Sequence, residues 1–277
     1  MKIKNILDLA NKDFINSGIE NYFYETRALL SFTLGKSKEW IMSNIDYEVE
    51  DLEYKKFLSL VNKRIEGAPL QYILGEEYFM GLKFIVNNDV LIPRADTEIL
   101  VYKIIELANE LGEIKVLDLC TGSGCIAISL AKKLDKAKVF ASDISKKALL
   151  VAKENSKINE TNITFLESNL FENITQTGFD IIVSNPPYIS REEMNYLNKD
   201  VQNEPHLALY GGEDGLKFYK DISKNALNYL KNNGILAFEI GCNQADAVFD
   251  ILSSLNYKNI EVIKDYSGNN RVVIARK

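Results

Sequence analysis

From residue 115 onward the chain repeats one pattern: a short apolar run, a turn-rich junction, then a stretch with apolar residues three and four apart. The spacing predicts strands at 115–119, 138–142, 163–166, 179–184 and 234–240, with helices at 97–111, 125–134, 146–157, 216–230 and 245–255. Strands this apolar offer no face to water, so they must lie in a sheet covered by helices on both sides. That is the doubly wound, mostly parallel α/β architecture. Two last strands, 259–264 and 271–275, are joined by Ser267-Gly268-Asn269-Asn270 without a helix and are expected to pair antiparallel, making seven.

The first seventy residues follow a different rule. Apolar positions at helical spacing (Ile3, Ile6, Leu7, Ala10; Ala28, Leu29, Phe32; Phe57, Leu58, Val61, Ile65) predict a small helical bundle with Trp40 as a core anchor. The acidic run 46–53 reads as a solvated link and helix start, and Gly67-Ala68-Pro69 ends the last helix. Tyr78 to Val86 then reads as two short strands about Met80-Gly81, with Asn87-Asn88-Asp89 as a turn. The chain is expected to divide into a helical domain at 1–74, a β-hairpin linker at 75–93 and an α/β domain at 94–277.

Composition narrows the chemistry. With one histidine, His206, most zinc sites built on several imidazoles are excluded, and any Ser-His-Asp arrangement would have to use His206. Within its loop His206 reads as a surface residue. Three cysteines, two of them five residues apart, suit a reduced cytoplasmic chain without a disulfide framework. The net charge of −6 is spread evenly, with no basic stripe for nucleic acid. The first residues lack the apolar core of a signal peptide, and no run is long enough to span a bilayer. A soluble, intracellular protein is expected, with a monomer as the working expectation.

Two motifs carry the chemistry. Strand 115–119 ends in Cys120-Thr121-Gly122-Ser123-Gly124, a glycine loop that opens a helix and exposes N–H groups to a ligand. Asp143 ends the next strand, where a carboxylate accepts both hydroxyls of a ribose. Gly122-x-Gly124-x-x-Ala127 also fits the dinucleotide fingerprint of a nicotinamide-dependent oxidoreductase. Asp118, four residues before Gly122, makes the loop resemble instead the cofactor loop of class I methyltransferases, which bind S-adenosylmethionine. The second motif, Asn185-Pro186-Pro187-Tyr188, ends strand 179–184. Its prolines stiffen the backbone and remove two N–H donors. A rigid loop results, with outward carbonyls, the Asn185 amide and the Tyr188 ring. A planar NH₂ group fits against it, donating to the Asn185 side-chain oxygen and the Pro186 carbonyl and lying on the Tyr188 face.

The Asn-Pro-Pro-Tyr signature resembles that of methyltransferases acting on planar amino groups. The remaining blocks are similar to one branch, the release-factor glutamine N5-methyltransferases. They are Pro69-Leu70-Gln71-Tyr72-Ile73-Leu74-Gly75, Leu91-Ile92-Pro93-Arg94-Ala95-Asp96-Thr97-Glu98, and Glu204-Pro205-His206-Leu207-Ala208-Leu209 with Gly211-Gly212-Glu213-Asp214-Gly215. The resemblance covers nearly the whole chain. It implies a class I methyltransferase fold behind a helical substrate-recognition domain, and methyl transfer from S-adenosylmethionine to the glutamine of a Gly-Gly-Gln motif in peptide chain release factors. It implies cofactor contacts from Cys120, Thr121, Gly122, Ser123, Gly124, Asp143, Asn169, Leu170 and Asn185, and substrate contacts from Asn185, Pro186, Pro187 and Tyr188, with no metal. Cys120 stands where the family has glycine, Ala95 where it has proline, Asn169 where it has aspartate and Leu170 where an aromatic is common. Three other activities share part of this equipment: a ribosomal-protein glutamine methyltransferase, a nucleic-acid amino (adenine N6) methyltransferase, and the oxidoreductase.

Overall fold

The computed structural model describes residues 1–109 and 112–277. These form two compact units: Met1–Gly75 with Asn198–Asn203, and Glu76–Leu197 with Glu204–Lys277. Among the described residues no helix is long and apolar enough to cross a membrane.

The first unit is helical: α1 (Ile3–Asn16), α2 (Tyr22–Leu34), α3 (Lys38–Ser43), α4 (Asp51–Ile65) and α5 (Leu70–Leu74). Ile3, Ile6, Leu7, Ala10 and Phe14 of α1 meet Ala28, Leu29 and Leu30 of α2 and Phe57, Leu60 and Val61 of α4 in one core. Phe32, expected inside, is exposed, because α2 buries the face carrying Leu29 and Thr33. Trp40 lies partly buried at the core's rim, edge-on to Tyr47. The acidic run does start a helix, with Glu50 and Glu53 closing a capping box on α4. Pro69 does not end the bundle: it precedes the extra turn α5, a helix start where its missing N–H costs nothing. Arg64 of α4, buried, donates to Glu25 of α2 and to Asp200, and Asn203 donates to the Gly67 carbonyl, so 198–203 joins this unit although its sequence neighbours belong to the other. A contiguous division of the sequence does not anticipate that.

The second unit begins with the hairpin β1 (Glu76–Phe79) and β2 (Leu82–Ile85), then α6 (Thr97–Ala108); Leu111, the expected helix end, lies outside the described residues. There follow β3 (Ile114–Leu119), α7 (Cys125–Lys133), β4 (Ala137–Asp143), α8 (Lys146–Ile158), β5 (Ile163–Glu167) and β6 (Phe179–Ser184). After β6 come a 3₁₀ turn at Glu193–Tyr196, α9 (Lys199–Gln202, in the first unit), α10 (His206–Leu209), α11 (Lys217–Tyr229), β7 (Leu230–Glu239), α12 (Ala245–Ser254), β8 (Lys258–Lys264) and β9 (Asn270–Arg276). The seven-stranded sheet runs β5-β4-β3-β6-β7-β9-β8, parallel except where β9 meets β7 and β8.

Alternate residues of each central strand feed two cores, which is why the strands read as continuous apolar runs. Val116, Val139, Ile181, Val183 and Ile235 pack on α6 and α7. Leu117, Leu119, Phe140, Ile182, Leu236 and Phe238 pack on α11 and α12. Strand β7 starts four residues earlier than expected, because Leu230 pairs with Phe179 before a register shift that resumes at Ile181 and Ile235.

Candidate active site

The sheet registers bring both motifs to one place. Leu119 of β3 is paired with Ser142 of β4 on one side and Ser184 of β6 on the other, so the segments beginning at Cys120, Asp143 and Asn185 leave three neighbouring strands at their carboxyl ends. Ser184 Oγ donates to the Leu119 carbonyl at 2.7 Å, and the Thr121 N–H donates to the Ser142 carbonyl at 3.0 Å, tying the three exits together. Winding reverses between β3 and β6, the crevice where doubly wound sheets take ligands. A cavity of about 340 Å³ opens there, lined by Cys120, Thr121, Gly122, Ser123, Asp143, Asn169, Leu170, Asn185 and Pro187.

Three of the expected cofactor and substrate contacts do not line it. Gly124 instead faces Ile128 and Ala152, and Pro186 is buried in its loop. The ring of Tyr188, expected on the loop's open face, packs inward against the core of α11 and α12, and burial pushes its hydroxyl pKa up. His206 is exposed, against Tyr210, and does not line the cavity; it begins α10 and is not in a loop.

Asp143 is held on both sides. The Gly122 N–H donates to its Oδ2 at 2.9 Å and the Ser145 N–H to its Oδ1 at 2.8 Å. Burial raises its pKa, and these backbone donors oppose the rise. Each carboxylate oxygen keeps a further lone pair for a ligand. Cys120 and Leu170 hold left-handed backbone, at φ 59° and 49°. Side chains are tolerated there at a cost of about 1–2 kcal/mol. Asn169 donates its NH₂ to Glu172 at 2.7 Å, which leaves Oδ1 as its unengaged end.

Several members of the site were not legible in the sequence. Asn185 Nδ2 donates to Thr97 Oγ1 at 3.4 Å, and the carboxyl of Glu239, at the end of β7, lies beside these two side chains. Glu239 is 2% exposed. Burial raises its pKa to about 7, opposed by Thr97, Arg271 and Asn185. A charged residue inside the run Leu236-Ala237-Phe238-Glu239-Ile240 was the available signal, since a strand buried on both faces has no solvated place for it. Arg94 and the Ile92 N–H both donate to the buried carboxylate of Glu204, joining the segment before α6 to the loop after the prolines.

The prolines' backbone rests on a glycine. A Cβ on Gly211 would stand 2.7 Å from Tyr188 Cα and 2.8 Å from the Pro187 carbonyl oxygen. These are backbone atoms and cannot rotate away. Gly211→Ala is expected to cost roughly 1–3 kcal/mol of stability, the usual overpacking range. Urea unfolding checks this; an unchanged midpoint would show that the loop yields freely.

Known proteins are similar to the chain throughout. Residues 96–213 match the Methyltransferase small domain family and residues 5–75 the PrmC N-terminal domain family. The release factor glutamine methyltransferase of Fusobacterium nucleatum is 44% identical over 98% of this chain and 78% of its own length. That of Clostridium acetobutylicum is 40% identical over 99% of this chain and 98% of its own. A methyltransferase structure from Pyrococcus furiosus, 20% identical, superposes with a TM-score of 0.54 over 72% of this chain and 90% of its own, a likeness of fold. The chain belongs to the release factor glutamine methyltransferase family.

Proposed function

We propose that this protein transfers a methyl group from S-adenosylmethionine to the side-chain amide nitrogen, N5, of the glutamine in the Gly-Gly-Gln motif of peptide chain release factors. The observation that carries the reading is that Asn185 of the Asn-Pro-Pro-Tyr loop shares one cavity with Asp143 and the glycine loop. The cavity suits the cofactor. A Cβ on Gly122 would meet no atom within 4 Å, so its bare backbone faces open space beside the Asp143 carboxylate. Asp143 would hold the ribose hydroxyls, the 120–124 loop the amino-acid end, and Asn169 and Leu170 the adenine. Bound there, S-adenosylmethionine supplies an electrophilic sulfonium methyl group.

The chain's own task is to prepare the amide. An amide nitrogen is a weak nucleophile because its lone pair is delocalised into the carbonyl. Asn185 Oδ1, on the cavity wall, would take one N–H group and draw it out of plane; the Pro186 carbonyl, expected from the sequence to take the other, belongs to a buried residue outside the cavity lining. Drawing the N–H out of plane localises the lone pair toward the methyl donor. Holding the two reactants in line contributes up to about 7–11 kcal/mol of the barrier. In this reading residues 1–74 recognise the protein substrate and 75–93 connect them to the catalytic residues 94–277. The net charge of −6 supports a protein substrate over a polyanion.

Mass spectrometry of a purified release factor after incubation with this protein and S-adenosylmethionine tests the reading. One added methyl on the Gly-Gly-Gln glutamine is expected. Methylation of a ribosomal protein, DNA or RNA in its place would overturn it. The cofactor assignment has its own check: Asp143→Ala is expected to weaken S-adenosylmethionine binding by about 1.5–3 kcal/mol, or roughly 10- to 150-fold. Calorimetric titration with unchanged affinity would remove Asp143 from the site.

A further inference from the structure

We propose that Glu239 is a positioning residue that fixes which end of the Asn185 side-chain amide faces the cavity. The inference rests on the amide-methylation reading above. An asparagine amide is nearly symmetric in shape but not in chemistry: Oδ1 accepts and NH₂ donates. Substrate NH₂ needs the acceptor, so a flipped Asn185 would present the wrong group. The prolines that follow cannot choose between the two ends, because neither has an N–H to offer.

Glu239 can choose. Phe238 of β7 is paired with Ser184 of β6, so Asn185 and Glu239 leave the sheet side by side. The Glu239 carboxyl is buried against Asn185 and Thr97, and its Oε2 has no partner. Arg271, the cation that acts on Glu239, pairs through one terminal nitrogen with Asp96 and Asp265, each at 3.2 Å, and its Nε has no partner among the described residues. A carboxylate only accepts, so the NH₂ of Asn185 turns toward Glu239 and Thr97 and Oδ1 is left for the cavity. The reverse orientation would set Oδ1 against a buried negative charge.

Protonation gives Glu239 a donor and removes this bias. The other titratable groups facing it are Arg271 from β9, Asp96 before α6, Tyr188 from the proline loop, Tyr219 from α11 and Cys125 from α7. Burial pushes both tyrosines and the cysteine up, away from neutrality; Arg271 is raised and stays charged. Asp96 is half-exposed and paired with Arg271.

The test compares the wild-type chain with Glu239→Leu and Glu239→Gln on purified release factor. Glu239→Leu is expected to lower kcat by about 10- to 100-fold, the scale of a mispositioned reacting group, with S-adenosylmethionine affinity within about twofold by calorimetry. Glu239→Gln keeps the shape and one acceptor, so it should retain more turnover than Glu239→Leu. The wild type is expected to lose kcat as pH falls through about 7, where Glu239 takes up a proton, and Glu239→Gln should lack that acid limb. If Glu239→Leu does not fold, as read by thermal melting, the Glu239→Gln pH profile carries the test. Wild-type kcat in Glu239→Leu, or an acid limb preserved in Glu239→Gln, overturns this inference alone. A wild-type chain that methylates no glutamine amide overturns the functional reading and this inference with it.

Discussion

Asn185→Ala is expected to lower kcat on a release factor by about 10²–10³-fold, the loss seen when one preorganised group at a reacting centre is removed. Cofactor affinity should change far less. Asn185 lines the cavity from the carboxyl end of β6, whereas Asp143 and the 120–124 loop, which hold the cofactor in this reading, leave β4 and β3. The variant keeps both prolines, so the loop stays rigid; it loses the Oδ1 acceptor together with the Nδ2 bond to Thr97. Single-turnover kinetics with saturating S-adenosylmethionine separates the two effects. A variant that methylates at the parent rate would falsify the mechanism; one that loses cofactor binding in parallel with turnover would show that the cofactor contact implied for Asn185 outweighs its part in orienting the amide.

Arg64→Ala should be the most destabilising substitution in the helical unit. The guanidinium, with its side chain 8% exposed, donates to Glu25 at 2.6 Å and to both oxygens of Asp200 at 2.9 and 2.8 Å. Removing one partner of a buried pair leaves an uncompensated charge, at a cost of about 3–5 kcal/mol. Glu25, 8% exposed, is the group left behind. Asp200→Ala should cost much less, since the Asp200 side chain is 45% exposed and water replaces its partner. Denaturant unfolding monitored at Trp40, the single tryptophan and itself in this unit, reads both variants. Equal losses from the two would show that Asp200, and not Glu25, is the partner that matters. Replacing both Arg64 and Glu25 by apolar residues of similar volume should restore most of the stability, because the penalty belongs to the unpaired charge and not to the missing bridge.

Element type and order in the α/β unit were legible because each strand is apolar throughout and each helix is amphipathic, two periods that do not resemble one another. Strand 179–184 and the starts of the helices at 97, 125, 146 and 245 coincide with those in the structure. Short pieces were not legible. Glu193–Tyr196, Lys199–Gln202 and His206–Leu209 are four residues each, barely one helical turn, too short for periodicity to register. Phe32 lies outside the core because spacing reveals that a helix has an apolar face but not how wide that face is. Tyr188 packs on the core for a related reason: a proline loop fixes its own backbone, while the direction of the next ring depends on what waits beneath it.

What the sequence determined by itself is the chemistry each motif carries: an Asp143 carboxylate after a glycine loop, and an amide acceptor in a loop stripped of N–H donors. Those properties belong to residue types and to local backbone, and they survive any rearrangement of the remainder. The tertiary structure decided which groups surround them. Thr97 and Asn185 are 88 positions apart and meet through side chains. Glu239 comes to Asn185 across a strand pair, and Arg64 reaches Asp200 over 136 positions. Only the sheet register sets such neighbours, and it is the sum of every packed side chain along the strands. A one-residue slip would carry Glu239 to the opposite face and leave the same motifs without the carboxylate that orients Asn185.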